Sequence, residues 1–242
     1  MYELLDRLVE LEQDVRYREP PLEDEGAFGF VSGERPVLLS APHSAVHTRR
    51  GTRKEEEEFT AAMACLVAHL TDAHALYARR QSPTDPNWYA DAPYKRRLRR
   101  LVAREQVTFV LDIHGMAPDR DLGIALGTLK GESCPEHRDA IIRLLEVHGF
   151  RRTGDSLDYL DVDQTFTAQG LSGQETITDF AWRTLGVGCA QFELHPALRV
   201  VERREDATLP GPYQGDGERI TRVVRALVAI AEAVSSEDST DA

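Results

Sequence analysis

Three short stretches of the 242-residue chain carry side chains that can do chemistry, and each lies at the end of an apolar run. His43 follows Val37-Leu38-Leu39-Ser40-Ala41-Pro42, His114 follows residues 107–113 (VTFVLDI), and Glu193 sits within Gln191-Phe192-Glu193-Leu194. Imidazole nitrogens and carboxylate oxygens are the donors of hydrolytic zinc sites. A carboxylate between Phe192 and Leu194 is partly desolvated, which raises its pKa toward the range useful to a general base. His47 forms an HxxxH pair with His43, and Asp112 forms a DxH pair with His114. Both spacings are common, so each histidine has a second reading as a hydrogen-bonded structural side chain. His69, His74, His137 and His148, inside predicted helices or a strand, take that second reading. Asp112 stands apart, because an unpaired carboxylate in an apolar run is costly. Residues two apart in a strand share a face, so Asp112 either orients His114 or pairs with a neighbouring cation or loop. The run Lys54-Glu55-Glu56-Glu57-Glu58 reads as a solvated helix start that complements the helix dipole, or as the source of one ligand turned inward toward His43.

The elements that must position these groups follow from periodicity. Residues 2–16 form an amphipathic helix with Leu4, Leu5, Leu8, Val9 and Leu11 on one side. Strands are expected at 36–41, 73–78, 107–113 and 188–194, and helices at 57–72, 93–104, 135–148 and 216–234. The Gly- and Thr-rich region 153–178 is weakly patterned, and residues 155–179 read as a lid or as a passive connection. Strands alternating with helices predict an α/β layer fold with a mostly parallel or mixed sheet covered by helices. In such sheets ligands bind outside the carboxyl ends of the strands, where His43, His114 and Glu193 stand. Residues 1–234 read as a single domain, and residues 235–242 as a flexible acidic tail.

Composition removes several classes. Lys+Arg number 29 against 41 Asp+Glu, a net charge of -12, which speaks against a nucleic-acid partner. The basic run Arg96-Arg97-Leu98-Arg99-Arg100 is too short to reverse this. No apolar stretch of about 18 residues is present to span a membrane, and the N-terminus lacks the pattern of a signal peptide. Cys65, Cys134 and Cys189 show no CxxC spacing and read as reduced thiols of a cytoplasmic protein. A G-x-S-x-G elbow and a Walker loop are both missing from the sequence, leaving serine hydrolases and P-loop enzymes without support.

Taken together, Ala41-Pro42-His43-Ser44 with the acidic run after it, Asp112-Ile113-His114-Gly115, and Phe192-Glu193-Leu194 resemble the N-formylglutamate amidohydrolase family. The likeness runs in order over about residues 36–200. It implies the three-layer α/β fold of the zinc carboxypeptidases (phosphorylase/hydrolase-like) and one Zn2+ per chain, with other divalent transition metals also suited to the donors. It further implies that His43, Glu57 and His114 are the ligands, with Glu56 and Glu58 as alternatives to Glu57, and that Glu193 is the general base. Arg80 and Asn87, in ARRQSPTDPN, match the segment that binds a substrate carboxylate or stabilises an oxyanion; a surface salt bridge is the other reading of Arg80. Two departures mark a divergent branch. Ala45 replaces an expected glycine, and the basic loop Thr48–Lys54 separates His43 from the acidic ligand. In that branch His47 becomes a second-layer or substrate-contacting residue.

The activity this implies is hydrolysis of the C–N bond of a small N-formyl or N-acyl amino acid or related amide. Arg49, Arg50, Arg53 and Lys54 beside the site suit an anionic substrate. Two rivals remain: a zinc peptidase acting on a peptide or peptide-derived product, and a non-catalytic binding module on the same fold. The sequence does not specify an oligomeric state.

Overall fold

Apolar residues placed two apart dictate the sheet. The computed structural model of the chain describes residues 2–21, 24–154 and 156–235. Its strands are Phe28–Val31 (β1), Val37–Ala41 (β2), His47–Arg49 (β3), Thr52–Lys54 (β4), His74–Ala78 (β5), Phe109–Gly115 (β6), Leu122–Gly127 (β7), Ser156–Val162 (β8) and Gly188–Leu194 (β9). Its helices are Tyr2–Glu12 (α1), Thr60–Thr71 (α2), Pro93–Arg104 (α3), Arg138–Val147 (α4), the short turn Ile177–Asp179 (α5), which runs into a π-helical stretch Phe180–Leu185, and Gly217–Ala233 (α6). The main sheet has the order β1-β5-β2-β6-β9-β7-β8. β5, β2, β6 and β9 are mutually parallel, β1 and β7 pair antiparallel at their flanks, and β8 pairs parallel with β7.

The period of two splits each central strand between two cores. Val37, Leu39, Leu111, Ile113, Ala190 and Phe192 face the larger core under α1, α2 and α6. α2 (TAAMACLVAHLT) is apolar almost all round, because it lies between the sheet and both of those helices. Leu38, Val110 and Cys189 face the smaller core, where Tyr94, Leu98 and Leu101 of α3 and Phe180 cover them. On that second face the apolar cover stops halfway along the strands. Ser40, Asp112 and Gln191 are register partners across β2, β6 and β9, and one step further His114 pairs with Glu193. The carboxyl half of one sheet face is thus a buried polar row built on an apolar foundation.

The expected elements at 36–41, 73–78, 93–104, 107–113, 188–194 and 216–234 are present within a few residues. The helix expected from residue 57 starts at Thr60, which leaves Glu55–Glu58 in the preceding turn. β1, β7 and β8 were not expected, and the region read as a lid or connection supplies β8 and α5. The basic loop is a hairpin, β3–β4, whose turn residues Arg50 and Gly51 have φ of 52° and 74°, the left-handed pair that a two-residue hairpin turn requires. Residue 155 and residues 236–242, including most of the acidic tail, lie outside the described residues. Among the described residues no helix is long and apolar enough to cross a membrane.

Leu111 is fully buried at the centre of the sheet. Leu111→Ala is expected to cost about 2–5 kcal/mol in urea unfolding, since the surrounding strands cannot collapse onto the cavity. A loss below about 1 kcal/mol would place the packing centre elsewhere.

Candidate metal centre

Three donor atoms converge where the parallel strands end. His43 leaves β2 through Pro42, His114 is the penultimate residue of β6, and Glu57 lies in the turn between β4 and α2. Glu57 reaches both rings, with Oε1 2.9 Å from His43 Nδ1 and Oε2 3.2 Å from His114 Nδ1. The two imidazoles are nearly perpendicular, at 73° with centroids 4.7 Å apart, so their Nδ1 lone pairs can meet at one point. Among the described residues, His43, Glu57 and His114 form a group whose ligand atoms all lie within 4.8 Å of one another.

The far edge of each ring is held by a carboxylate. His43 Nε2–H donates to Asp85 Oδ1 at 2.8 Å, and His114 Nε2–H donates to Asp112 Oδ2 at 2.9 Å. This is the carboxylate–histidine arrangement that fixes ring orientation in metal sites. Asp112 is in turn bound by the Ser40 hydroxyl at 2.8 Å, and Ser40 lies 3.0 Å from the hydroxyl of Tyr94 on α3. Asp85 takes the backbone N–H of Asn87 and the guanidinium of Arg49.

The four consecutive glutamates have four different fates. Glu55 is exposed. Glu56 accepts from the backbone and hydroxyl of Thr208. Glu57 faces the two histidines, and Glu58 pairs with Arg203 at 2.9 Å. Glu56 and Glu58, the alternatives to Glu57, are therefore committed elsewhere.

Glu193 stands beside His114 across the β6–β9 ladder and accepts a 2.9 Å hydrogen bond from Gln191 Nε2. Burial pushes its carboxyl up to about 7, with His114 opposing and Glu57 adding to the rise. Burial works against charge on His43, but Glu57 and Asp85 more than offset it and push the ring up to about 9. Burial likewise opposes charge on His114, and Asp112 and Glu57 outweigh it to hold that ring well above its usual value. Burial disfavours ionised Glu57, yet the two rings keep it ionised, well below its usual range.

A second cluster, His43, His47 and Asp85, also has convergent donor atoms. Its rings rule it out as it stands. His43 and His47 stack at 4.0 Å and 7°, and a metal ion lies in the plane of each imidazole that binds it, so two parallel rings cannot share one. His47 is 2% exposed, its two ring nitrogens are buried with no hydrogen-bond partner among the described residues, and it lines a cavity that Glu57 also borders.

Asn87 is buried behind His114, with Nδ2 3.5 Å from Nε2, the ring edge turned away from Glu57. Its carbonyl oxygens hold Ile177 N and Gln174 Nε2, which ties the start of α5 to the site. Arg80 is not part of the constellation. Its guanidinium pairs with Glu19 at 2.6 Å, the salt-bridge reading of this residue. Arg199, which sequence reasoning overlooked, is the cation that the fold does bring in. It is buried, packs against Gly115, and donates to the backbone oxygens of Glu58 and Leu194, and among the described residues it makes no direct ion pair. With Arg49, Lys54 and Glu57 it lines a cavity of about 290 Å³. Asp85 was also overlooked. Its one sequence signal is Asp85-Pro86, a dipeptide that forces a turn in the segment after β5.

No protein-family model and no curated protein matches the chain. Among solved structures, a bacteriophage poly-γ-glutamate hydrolase aligns over 86% of this chain and 89% of its own, at 16% identity and a TM-score of 0.50. The two share a fold. Metallo-carboxypeptidases from Burkholderia cenocepacia (14% identity, 94% of this chain and 67% of that one, TM-score 0.49) and Pseudomonas aeruginosa (14%, 95% and 67%, 0.45) align less closely. The mixed sheet covered by helices that the sequence predicts is thus an architecture found among hydrolases.

The donor set fits a divalent ion. The carboxylates around His43 and His114 favour a proton on each ring in the metal-free chain, and a 2+ ion bound by neutral imidazoles would leave the charge of the site unchanged. Zinc must therefore displace the ring protons. Calorimetric titration at pH 7 in buffers of different ionisation enthalpy is expected to show more than one proton released per zinc, with apparent affinity rising as pH climbs toward about 9, where His43 deprotonates unaided. Proton-neutral binding would contradict the protonated site.

Proposed function

We propose that the protein is a divalent-metal-dependent hydrolase of C–N amide bonds. The observation that carries this reading is the convergence of His43 Nδ1, Glu57 and His114 Nδ1, with a carboxylate behind each ring and Glu193 alongside. Its parts match a hydrolytic centre: two imidazoles, one carboxylate, and a cavity bordered by Glu57 and Gly115. The bound ion would supply polarisation of the amide carbonyl and of the attacking water.

This chain's own residues do the rest. Glu193 takes the proton of the attacking water and returns it to the leaving nitrogen. Gln191 leaves one Glu193 oxygen engaged and the other free for that exchange. Asp85 and Asp112 hold the ligand rings in register. Arg199, in the role the sequence suggested for Arg80, offers a guanidinium, bound among the described residues only to backbone oxygens, to the substrate carboxylate or the developing oxyanion. Arg49 and Lys54 on the hairpin line the same cavity together with Glu55–Glu58, so an anionic substrate group would be met chiefly by Arg199.

The substrate class is a small N-formyl or N-acyl amino acid. The fold shared with a poly-γ-glutamate hydrolase favours a second reading, in which the amide belongs to a peptide or a γ-linked acidic chain. Release of formate or of free amine from N-formyl-L-glutamate, N-acetyl amino acids and glutamyl oligomers separates the two.

His43→Ala and His114→Ala are expected to give folded protein with no bound metal by elemental analysis; full retention in both would overturn the ligand assignment. Glu193→Gln is expected to keep the metal and lose about 10²–10⁴-fold in kcat, and undiminished turnover would remove it as the base. kcat/KM should fall with decreasing pH as Glu193 takes up a proton, at or below about pH 7, because the protonated acid cannot accept another. Glu193→Gln should lack this acid limb, and an unchanged limb would assign the titration to another group. Arg199→Ala should raise KM for an anionic substrate at least tenfold, whereas Arg80→Ala should leave it within twofold; the reverse pattern would restore Arg80.

A further inference from the structure

Helix α2 begins without a cap of its own. The first backbone N–H groups of a helix need acceptors, and a polar N-cap side chain normally supplies one. Here that position is Phe59, which offers no acceptor and has φ 65° and ψ 4°. A bulky aromatic residue in the left-handed region is strained by about 1–2 kcal/mol. Within residues 51–71 it is the one non-glycine residue with positive φ, and it stands two positions after Glu57.

The missing acceptor comes from another element. Glu12, the last residue of α1, is fully buried. Its Oε1 accepts from Phe59 N at 2.8 Å and from the Tyr17 hydroxyl at 2.6 Å, and its Oε2 accepts from Ala62 N at 3.3 Å. Arg204 fixes the same end of α1 through the Glu12 carbonyl at 2.6 Å and lies 4.5 Å from the Tyr17 ring. A carboxylate at a helix N-terminus is also electrostatically favourable. Glu12 does not line the cavity that Glu57 borders.

We propose that Glu12 is a positioning residue for the Glu57 ligand: by binding Phe59 N it holds the left-handed turn that sends Glu57 toward His43 and His114 and Glu58 toward Arg203. The turn has further restraints on either side, since Glu57 N donates to His43 O and the Thr60 hydroxyl donates to Glu57 O at 2.8 Å. Arg199 donates to Glu58 O, the carbonyl of the peptide that carries Phe59 N, and Met63 N donates to Phe59 O at 3.0 Å, while Glu12 is the acceptor for the Phe59 N–H. Relaxing Phe59 to an ordinary helical φ rotates the peptide planes before it and swings the glutamate run, so a neighbour of Glu57 competes for the ligand position. This inference rests on the metal-centre reading given above.

The test is zinc binding by the full-length metal-free chain, measured calorimetrically with zinc alone, beside thermal unfolding. The unaltered chain should bind one zinc. Glu12→Met, which removes both acceptor oxygens, should weaken the affinity about 10–100-fold, the range seen when a group that orients a ligand is lost. Glu12→Gln retains one oxygen for Phe59 N and should lose less. Ile230→Ala on α6 should lower the melting temperature and leave the zinc affinity unchanged, which separates positioning from general stability. Should Glu12→Met fail to fold, Glu12→Gln and Tyr17→Phe decide. A threefold or greater loss of affinity in either supports the role, and affinities within twofold of the unaltered chain in both overturn it. No zinc binding by the unaltered chain would overturn the metal centre itself, a result distinct from the failure of Glu12.

Discussion

Two buried imidazoles held among three carboxylates set the electrostatic terms of this fold. Glu57 bridges the Nδ1 atoms, while Asp85 and Asp112 occupy the Nε2 atoms. Isolated charges at such burial are costly, so the group is stable only with positive charge at its centre. Protons on both rings supply it in the absence of metal, and a divalent ion supplies it with metal. The fold answers the same demand around its edge. Ser40, itself 3.0 Å from the Tyr94 hydroxyl, satisfies Asp112, Arg49 satisfies Asp85, and the cations Arg199 and Arg203 lie against the neighbouring turn. Building the site at strand ends confines this polarity to the last residues of each strand, and the apolar halves of the same strands carry the packing.

That division explains what the sequence disclosed. Parallel strands end together, so the residues closing three apolar runs, His43, His114 and Glu193, had to be neighbours. Asp112 was legible because a strand repeats every two residues, and an acid two before His114 must share its face. The sequence ranks Glu57 ahead of Glu56 and Glu58 as the ligand that opens the helix, but the helix begins only at Thr60, so helical periodicity does not orient any of the three. Their directions depend on a left-handed Phe59 held from α1, a contact across 47 positions of sequence.

Arg80 and Arg199 share one property: both lie outside the named strands and helices. Arg80 sat in a stretch suggestive of substrate binding, yet it follows β5 on the side where Glu19 is available. Arg199 follows the short Pro196–Leu198 turn after β9, where no periodicity points a side chain in either direction. β7 and β8 were hidden for a different reason. Glycine dilutes β7 (LGIALG), and β8 (SLDYLDV) is an edge strand inside a weakly patterned region. The hairpin β3–β4, which reads as a basic loop, becomes one wall of the cavity through His47, Arg49 and Lys54.

The most direct test of the metal centre is a crystal structure of the zinc-incubated protein with diffraction recorded on both sides of the zinc absorption edge. One anomalous peak per chain is expected, about 2.0–2.2 Å from His43 Nδ1, a Glu57 oxygen and His114 Nδ1, with Asp85 and Asp112 still bound to the opposite ring nitrogens. A peak between His47 and Asp85, or no peak at any of these donors, would contradict it.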